Sequence, residues 1–262
     1  MRPISQTSIS YLTIKVLAIL FGILALYWQD LTIVADEALQ SESASHILVI
    51  PLLLGYLIYR KRKMLRAVIP SESSKPMVKA ILDREAVGVI VCLLAFLMYW
   101  HGSYTFHPLE YHLASLPLFA AGLLLIVFNK KTLKALAFPL VFLLFLVPPP
   151  LEIVYALGTS LSILSSEAAY TLLKAAGLPV TLTAQYGTPV ITLAKPGSSP
   201  LAFALDVACA GLYSLIGFTV FAVFVAYIAR GAPWRKATIF IAGFPLVYAL
   251  NITRIITIVL IG

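Results

Sequence analysis

Between Ala86 and Trp100 the chain reads Ala-Val-Gly-Val-Ile-Val-Cys-Leu-Leu-Ala-Phe-Leu-Met-Tyr-Trp, an apolar run without a charged residue. It ends on Tyr99 and Trp100, which belong to the residue types that favour the membrane–water interface. A helix that crosses a bilayer needs roughly 20 mostly apolar residues. This run reaches that length with its flanking residues, so it predicts a membrane-spanning helix.

Six further runs have the same character, and the composition of the whole chain agrees with them. Of 262 residues, 61% are hydrophobic and only 11% are charged, whereas a soluble domain carries about 25% charged residues. Lipid is therefore the solvent that suits this chain. The six other candidate spans are residues 11–28, 46–59, 113–128, 136–147, 206–229 and 237–262.

The net charge of +8 is explained by topology rather than by a nucleic-acid partner. Basic residues gather in alternate connections between the spans, as cytoplasmic loops do. The acidic connections, residues 29–45 and 101–112, contain no Lys or Arg. We therefore expect a protein of the cell (plasma) membrane, with its N-terminus in the cytoplasm and these acidic connections outside. The basic connections contain Arg60, Lys61, Arg62, Lys63, Arg66, Lys75, Lys79 and Arg84; Lys130, Lys131 and Lys134; and Arg230, Arg235 and Lys236.

Residues 148–205 are predicted to lie outside the cytoplasm, because the spans on both sides of them have outer ends there. Residues 151–176 form an amphipathic helix whose polar residues recur at spacings of three and four. Two interpretations stay open, a scaffold element beside the bundle and the wall of a partly wet cleft. Residues 178–205, rich in Gly and Pro, predict an external hairpin or loop with a weak strand at 188–195. The stripe consists of Glu152, Tyr155, Thr159, Ser162, Ser166, Tyr170 and Lys174.

The predicted fold class is all-α, a polytopic transmembrane bundle of about seven to eight helices with an extracytoplasmic amphipathic helix and loop. It is a single membrane domain over residues 1–262. Residues 1–150 hold the N-terminal spans, residues 151–205 the external helix and loop, and residues 206–262 a helix pair that carries the candidate site.

The candidate nucleophile is Cys209, in the segment Asp206-Val-Ala-Cys-Ala-Gly-Leu-Tyr-Ser214. Asp206 as helix N-cap puts Cys209 in the first turn, where backbone N–H groups favour a thiolate. The nearby carboxylate opposes that effect, so a cation is needed. The alternative is a buried structural thiol. Cys92, inside an apolar run, is interpreted as a small hydrophobic residue, and no disulfide is expected.

Arg254 supplies the cation, and it is the only Lys or Arg in the last apolar run. It lies 17 residues after Ala237, or roughly 25 Å along a helix, which places it at the outer depth of Cys209. A charged residue inside a span is costly and indicates function. Asn251, one turn away, is predicted to orient it. The alternatives are snorkelling to the outer headgroups and a structural pair with Asp206.

Three histidines, His101, His107 and His112, lie in a predicted outer connection. They are candidates for metal ligands or for a general base, but their spacing fits no standard zinc signature. Their other interpretation is that of ordinary interfacial residues.

The segment Ala208-Cys209-Ala210-Gly211-Leu212, followed 45 residues after the cysteine by the arginine of Asn251-Ile-Thr-Arg254, resembles the exosortase/archaeosortase family of membrane cysteine transpeptidases. The resemblance is close over about residues 180–262, and the wording of the first motif is closer to archaeosortases. It implies that Cys209 is the nucleophile and Arg254 its assistant, with Asn251 and Asp206 in supporting roles, and it implies no metal or organic cofactor.

The resemblance also implies substrates and a reaction. Family members cleave a C-terminal sorting signal (a short motif, a hydrophobic helix and a basic tail) outside the cytoplasm and transfer the protein to a lipid or other acceptor. The expected partners are therefore such proteins and membrane lipid. The family places a third catalytic residue, His or Arg, beyond the Asn-x-x-Arg helix. We expect it beyond Gly262 in a truncated chain, or replaced by another group such as one of the three histidines.

Two other function classes remain at this point. A transporter of a small or lipid-linked molecule would need polar residues through the midplane of several spans, and few are present. A non-enzymatic assembly scaffold would use Arg254 and Asp206 only as a structural pair. A transporter or a scaffold would tolerate loss of the Cys209 thiol, whereas an enzyme that uses this thiol as its nucleophile would not.

Overall fold

The structure is a computed structural model. It describes residues 6–40, 44–68, 78–194, 197 and 199–261, and within these it describes only the backbone of residues 6–12, 63, 66–68, 78–83, 208, 209 and 239. Lys195, at the end of the predicted weak strand, lies outside the described residues, as does Gly262.

The described part of the chain contains eight α-helices and three β-strands. This confirms the predicted all-α polytopic membrane architecture. The helices are α1 (Gln6–Gln40), α2 (Val49–Val68), α3 (Val78–Gly102), α4 (Pro108–Val127), α5 (Lys130–Phe142), α6 (Leu151–Ala175), α7 (Leu212–Ile228) and α8 (Pro233–Ile261), and the strands are β1 (Val180–Gln185), β2 (Thr188–Leu193) and β3 (Leu201–Ala204). Short 3₁₀ segments lie at Ser45–Leu48, Leu143–Leu146 and Val207–Ala210.

Four described helices are long and apolar enough to cross a membrane. They are Thr13–Gln40 within α1, Arg84–Gly102 within α3, and the whole of α4 and α8; counting Lys130–Leu146 and Leu151–Ala175 as one broken span gives five. The apolar helix α7, with 17 residues, falls just below this length. The chain is therefore a multi-pass membrane protein.

One prediction for the N-terminal part was wrong. Residues 29–45 were predicted to be an acidic outer loop, but α1 continues through most of them to Gln40. The reason is that Asp30 has a partner inside the helical packing. Its Oδ1 accepts a hydrogen bond of 2.7 Å from Nδ1 of His112 on α4, so the carboxylate does not have to end the helix.

The chain divides into two compact units, Met1–Pro148 and Pro149–Gly262. In the first unit α3 and α4 pack closely through small residues. A Cβ at Gly122 would lie 2.5 Å from Sγ of Cys92, and one at Gly88 would lie 3.0 Å from the backbone oxygen of Gly122. Close approach of two helices at glycines is a common way to pack spans in a membrane.

A buried polar network joins α1, α3 and α4 in this unit. His112 hydrogen-bonds Asp30 through Nδ1 and Ser103 Oγ through Nε2, the latter at 3.0 Å. Its ring stacks on Tyr99 with the ring centroids 3.7 Å apart. Tyr27, fully buried, hydrogen-bonds Ser115 at 2.7 Å. Buried polar groups are stable only when paired, so this network fixes how the three helices meet.

The second unit is organised around α6 and a three-stranded antiparallel sheet in the order β1-β2-β3. The predicted hairpin is confirmed, and the sheet is larger than predicted. Tyr186 and Gly187, both at positive φ, form a two-residue turn between β1 and β2, as tight hairpins require. Side chains from α6, the sheet and α8 make one core of Ala169, Leu173, Val180, Ile191, Leu193, Leu205, Ile255 and Val259.

The His112→Ala substitution tests the polar network. It leaves the Asp30 carboxylate buried without its partner, and breaking a buried pair in this way costs about 3–5 kcal/mol. Since 1 kcal/mol shifts the melting temperature of a domain this large by about 2–4 °C, we expect a fall on the order of 10 °C in detergent-solubilised protein. The matched control is His101→Ala, which removes an exposed histidine at the end of α3. Equal shifts for the two variants would contradict the structural role of the network.

Candidate functional site

The turn that carries Cys209 is built from its backbone upward. Asp206 lies at the N-cap of the 3₁₀ segment Val207–Ala210, and its Oδ1 accepts a hydrogen bond of 2.6 Å from the backbone N–H of Val207. The N-cap role predicted from the sequence is therefore confirmed. Gly211 ends the segment with φ 79° and starts α7. Cys209 thus lies in a short helical turn just before α7.

Gly211 lies directly against Asn251 of α8. A Cβ built on Gly211 would lie 2.7 Å from Cγ of Asn251 and 2.9 Å from its Oδ1. Its left-handed φ also disfavours any side chain. Both constraints require glycine here, so the two motifs of the sequence meet at one backbone-to-side-chain contact.

Asn251 is buried, with 6% of its surface exposed, and its Nδ2 donates a long hydrogen bond of 3.5 Å to Oγ of Ser165 on α6. The sequence predicted that Asn251 orients Arg254. In the structure Asn251 instead hydrogen-bonds Ser165 and packs on Gly211. Asn251, Ile255 and Val259 lie on the buried face of α8. Arg254 is exposed. Asn251 therefore joins α6, α8 and the cysteine turn.

The small residues of α6 hold the same turn from another side. A Cβ on Gly158 would lie 2.2 Å from Cγ1 of Val207, so the helix approaches the turn too closely for any larger residue. Ser162 Oγ donates a short hydrogen bond to the backbone oxygen of Leu205, and Ser166 Oγ donates one of 2.5 Å to the backbone oxygen of Ser162. One face of α6 therefore fixes both ends of the segment that leads to Cys209.

This arrangement bears on the two interpretations left open for α6. Ser162 and Ser166 of the predicted polar stripe are buried, and Ser162 hydrogen-bonds the backbone oxygen of Leu205, whereas Tyr155 is exposed. Within its own unit, α6 packs against the turn, α7, α8 and the sheet. The hydroxyl groups of these serines donate hydrogen bonds to backbone carbonyl oxygens, so this face of α6 supports the segment that leads to Cys209.

Cys209 and Arg254 lie on either side of the Gly211–Asn251 contact. Cys209 precedes Gly211 by two residues, and Arg254 follows Asn251 by three, or about 4.5 Å along the axis of α8. Both residues are therefore at the same end of the α7–α8 pair. Arg254 forms no hydrogen bond or ion pair with any described side chain, and in particular none with Asp206.

Aromatic packing holds α7 and α8 together below this end. The Phe218 ring lies where a Cβ of Gly243 would be, with its Cζ at 2.0 Å from that position. It also packs on the rings of Phe240 and Phe244 at centroid distances of 6.2 and 5.5 Å. The register of the two helices is thereby fixed, and with it the level of Arg254 relative to the cysteine turn.

The other sequence candidates lie in the first unit. His112 hydrogen-bonds Asp30 and Ser103, and His107 forms an ion pair of 3.2 Å with Glu110. The rings of His101 and Tyr111 pack in a T-shaped arrangement. No group of three or more His, Cys, Asp or Glu residues in the described part could hold a metal ion. Cys92 packs between α3 and α4.

Two residues that support the site were missed by the sequence reasoning. Ser165, fully buried, and Gly158 were not part of the predicted polar stripe of α6. For Gly158 the available signal was the small-residue pattern Gly158, Ser162, Ser166, at spacings of four, which marks a helix face that another segment approaches closely.

The Gly211→Ala substitution tests the contact between the motifs. A left-handed backbone costs an alanine about 1–2 kcal/mol, and here the methyl group also meets Asn251. Gly177→Ala is a matched control, because Gly177 has φ 81° and nothing within 4 Å of its Cβ position. We expect the melting temperature of Gly211→Ala to fall at least twice as far as that of Gly177→Ala. An equal fall would show that Asn251 does not press on this position.

Comparison with known proteins gives one match. Residues 28–262 match the family model described as "Transmembrane exosortase (Exosortase_EpsH)". No curated protein and no solved structure matches the chain. The match covers most of the chain and includes the cysteine turn, α7 and α8. The chain therefore belongs to the transmembrane exosortase family, a family of cysteine transpeptidases of protein sorting.

Proposed function

We propose that this protein is an archaeosortase-like membrane transpeptidase that cleaves a C-terminal sorting signal of surface proteins and transfers them to a lipid or another acceptor. Cys209 is the nucleophile, and Arg254 assists it. The observation that carries the proposal is the contact of Gly211 with Asn251. It places the Ala-Cys-Ala-Gly-Leu turn and the Asn-x-x-Arg helix at one end of the same helix pair.

The chemistry follows from the two residue types. The Cys209 thiolate attacks the scissile carbonyl carbon, and the tetrahedral intermediate collapses to a thioester as the C–N bond breaks and the leaving amine takes up a proton. An acceptor amine or hydroxyl then attacks the thioester and loses its proton, and the C–S bond breaks to regenerate the thiol. The Arg254 guanidinium stabilises the thiolate and the oxyanion of each tetrahedral intermediate.

Charge distribution supports an active site outside the cytoplasm. Arg230 lies between α7 and α8, and Arg235 and Lys236 lie in the first turn of α8. The positive-inside rule assigns this end of the helix pair to the cytoplasm together with the N-terminus. The turn with Cys209 is at the other end of α7, about 25 Å away for 17 helical residues. A substrate with its own hydrophobic helix and basic tail would lie in the bilayer with its scissile bond at that level.

The transporter alternative gains no support from the buried polar residues. Asp30 lies in the last third of α1, and His112 in the second turn of α4. His112 and its partner Ser103, which directly follows α3, therefore lie near helix ends, and a transporter would place its binding groups near the bilayer midplane.

Replacement of the nucleophile is the direct test. C-terminal mass spectrometry of membrane proteins should detect one or more proteins that lose a hydrophobic and basic tail in cells with the native chain, and keep it with Cys209→Ala. Cys92→Ala is the matched control and should leave processing unchanged, because Cys92 packs between α3 and α4, where its Sγ contacts Gly122 and the backbone oxygen of Phe119. If every such tail is the same with native protein and with Cys209→Ala at equal expression, the proposal is wrong.

The role of Arg254 is tested by its charge and its geometry. Arg254→Ala should reduce the rate of processing about 100-fold, as expected for loss of one stabiliser of an oxyanion. The processing rate with Arg254→Lys should lie between the rates of the native protein and of Arg254→Ala, since lysine keeps the charge and loses the planar donor pair. Thr257→Ala, an exposed residue one turn further along α8, is the control. A rate for Arg254→Ala equal to that of Thr257→Ala would remove Arg254 from the mechanism.

A further inference from the structure

The outer edge of β3 presents free backbone groups. In the ladder between β2 and β3, Ile191 pairs with Phe203 and Leu193 with Leu201. The backbone N–H of Leu205 donates a hydrogen bond of 2.9 Å to the oxygen of Pro189, next in the same register. Since bonding alternates along an antiparallel strand, Leu201, Phe203 and Leu205 bond to β2.

The two remaining residues of β3, Ala202 and Ala204, therefore direct their N–H and C=O groups away from β2. Both residues are exposed, and no described strand pairs with this side of β3. Natural edge strands are commonly blocked by a charged residue, a proline or a bulge. None of the four residues Leu-Ala-Phe-Ala of β3 is charged or a proline.

This edge leads directly to the candidate nucleophile. β3 ends at Ala204, Asp206 caps the next turn, and Cys209 lies within that turn. Four residues of strand span about 13 Å, so a peptide segment paired along β3 would reach the cysteine turn with little further length. The free edge of β1 is two strand spacings away, roughly 10 Å across the sheet.

We propose that the outer edge of β3 binds an extended polypeptide segment of the substrate by strand addition and guides it to Cys209. The inference rests on the proposed function and names its recognition mode. The occupant is polypeptide, because alternating N–H and C=O groups at strand spacing match another main chain. The small side chains of Ala202 and Ala204 leave room for the side chains of the segment, so the main chain supplies most of the binding.

Disulfide trapping tests the geometry. The probe is the protein that the mass-spectrometric comparison identifies as a substrate, with single cysteines placed along the segment before its hydrophobic helix. The enzyme carries Ala202→Cys in a Cys92→Ala/Cys209→Ala background, which keeps the substrate intact, and copper phenanthroline is the oxidant. Strand addition predicts crosslinks at every second substrate position, and few at the positions between them.

The matched control is Ala184→Cys on the open edge of β1, also an exposed alanine of an edge strand. It should give no alternating crosslinks. Crosslinks of equal yield at successive positions, or the same pattern from Ala184→Cys, would overturn the proposal. The trapping uses a substrate that the Cys209→Ala comparison has already identified, and the crosslink itself needs no catalysis. A missing pattern would therefore overturn strand addition and leave the proposed function standing.

A second measurement addresses the backbone donor itself. In the native background, Ala202→Pro removes an outward N–H and keeps the ladder to β2, so we expect processing to fall at least tenfold. Ala184→Pro is the matched control. It removes an outward N–H from the open edge of β1, so it should process at near the native rate. If Cys209-dependent processing is seen and Ala202→Pro matches the native rate, the strand-addition proposal is wrong while the proposed function stands. If processing does not require Cys209, the proposed function itself fails. Should Ala202→Pro not fold, as judged by its melting temperature, the crosslinking pattern decides.

Discussion

The close contact between Gly211 and Asn251 is the constraint on which the C-terminal unit depends. The left-handed conformation of Gly211 ends the cysteine turn and lets α7 start, and its missing side chain lets the Asn251 amide take up that space. Asn251 is then buried and needs a partner, which Ser165 supplies from α6. Three elements distant in the sequence are thereby fixed around one residue without a Cβ.

The environment of this contact explains why α6 is rich in small polar residues. The turn before α7 has backbone groups that no regular helix or strand satisfies. Ser162 satisfies one of them, at Leu205, and Gly158 leaves space for Val207. In an apolar surrounding, an unpaired backbone group costs several kcal/mol, so the serines of α6 stabilise an irregular segment at the end of a membrane helix pair.

Much of this architecture could be predicted from the sequence, because a membrane helix needs only length and apolarity. Each of the seven predicted spans overlaps a helix, but only four described helices, or five with the broken pair, are long and apolar enough to cross a membrane. The strands were harder. β3 has four residues, too few to show a pattern, and β1 alternates threonine with apolar residues in a way that also fits a loop. The continuation of α1 past Asp30 depends on His112, 82 positions away, which no local pattern reveals.

The residue types of the candidate site could be proposed from the sequence, but its contacts could not. Spacing and depth brought Cys209 and Arg254 to one level, whereas the partner of Asn251 required the packing of α6. That packing changes the argument for Arg254. Asn251 is occupied by Ser165 and Gly211, and Arg254 is exposed without a described partner. A guanidinium near the end of a membrane helix is costly to leave unpaired. A thiolate or an oxyanion at the neighbouring turn would compensate for that cost, which is the role that the proposed function gives to Arg254.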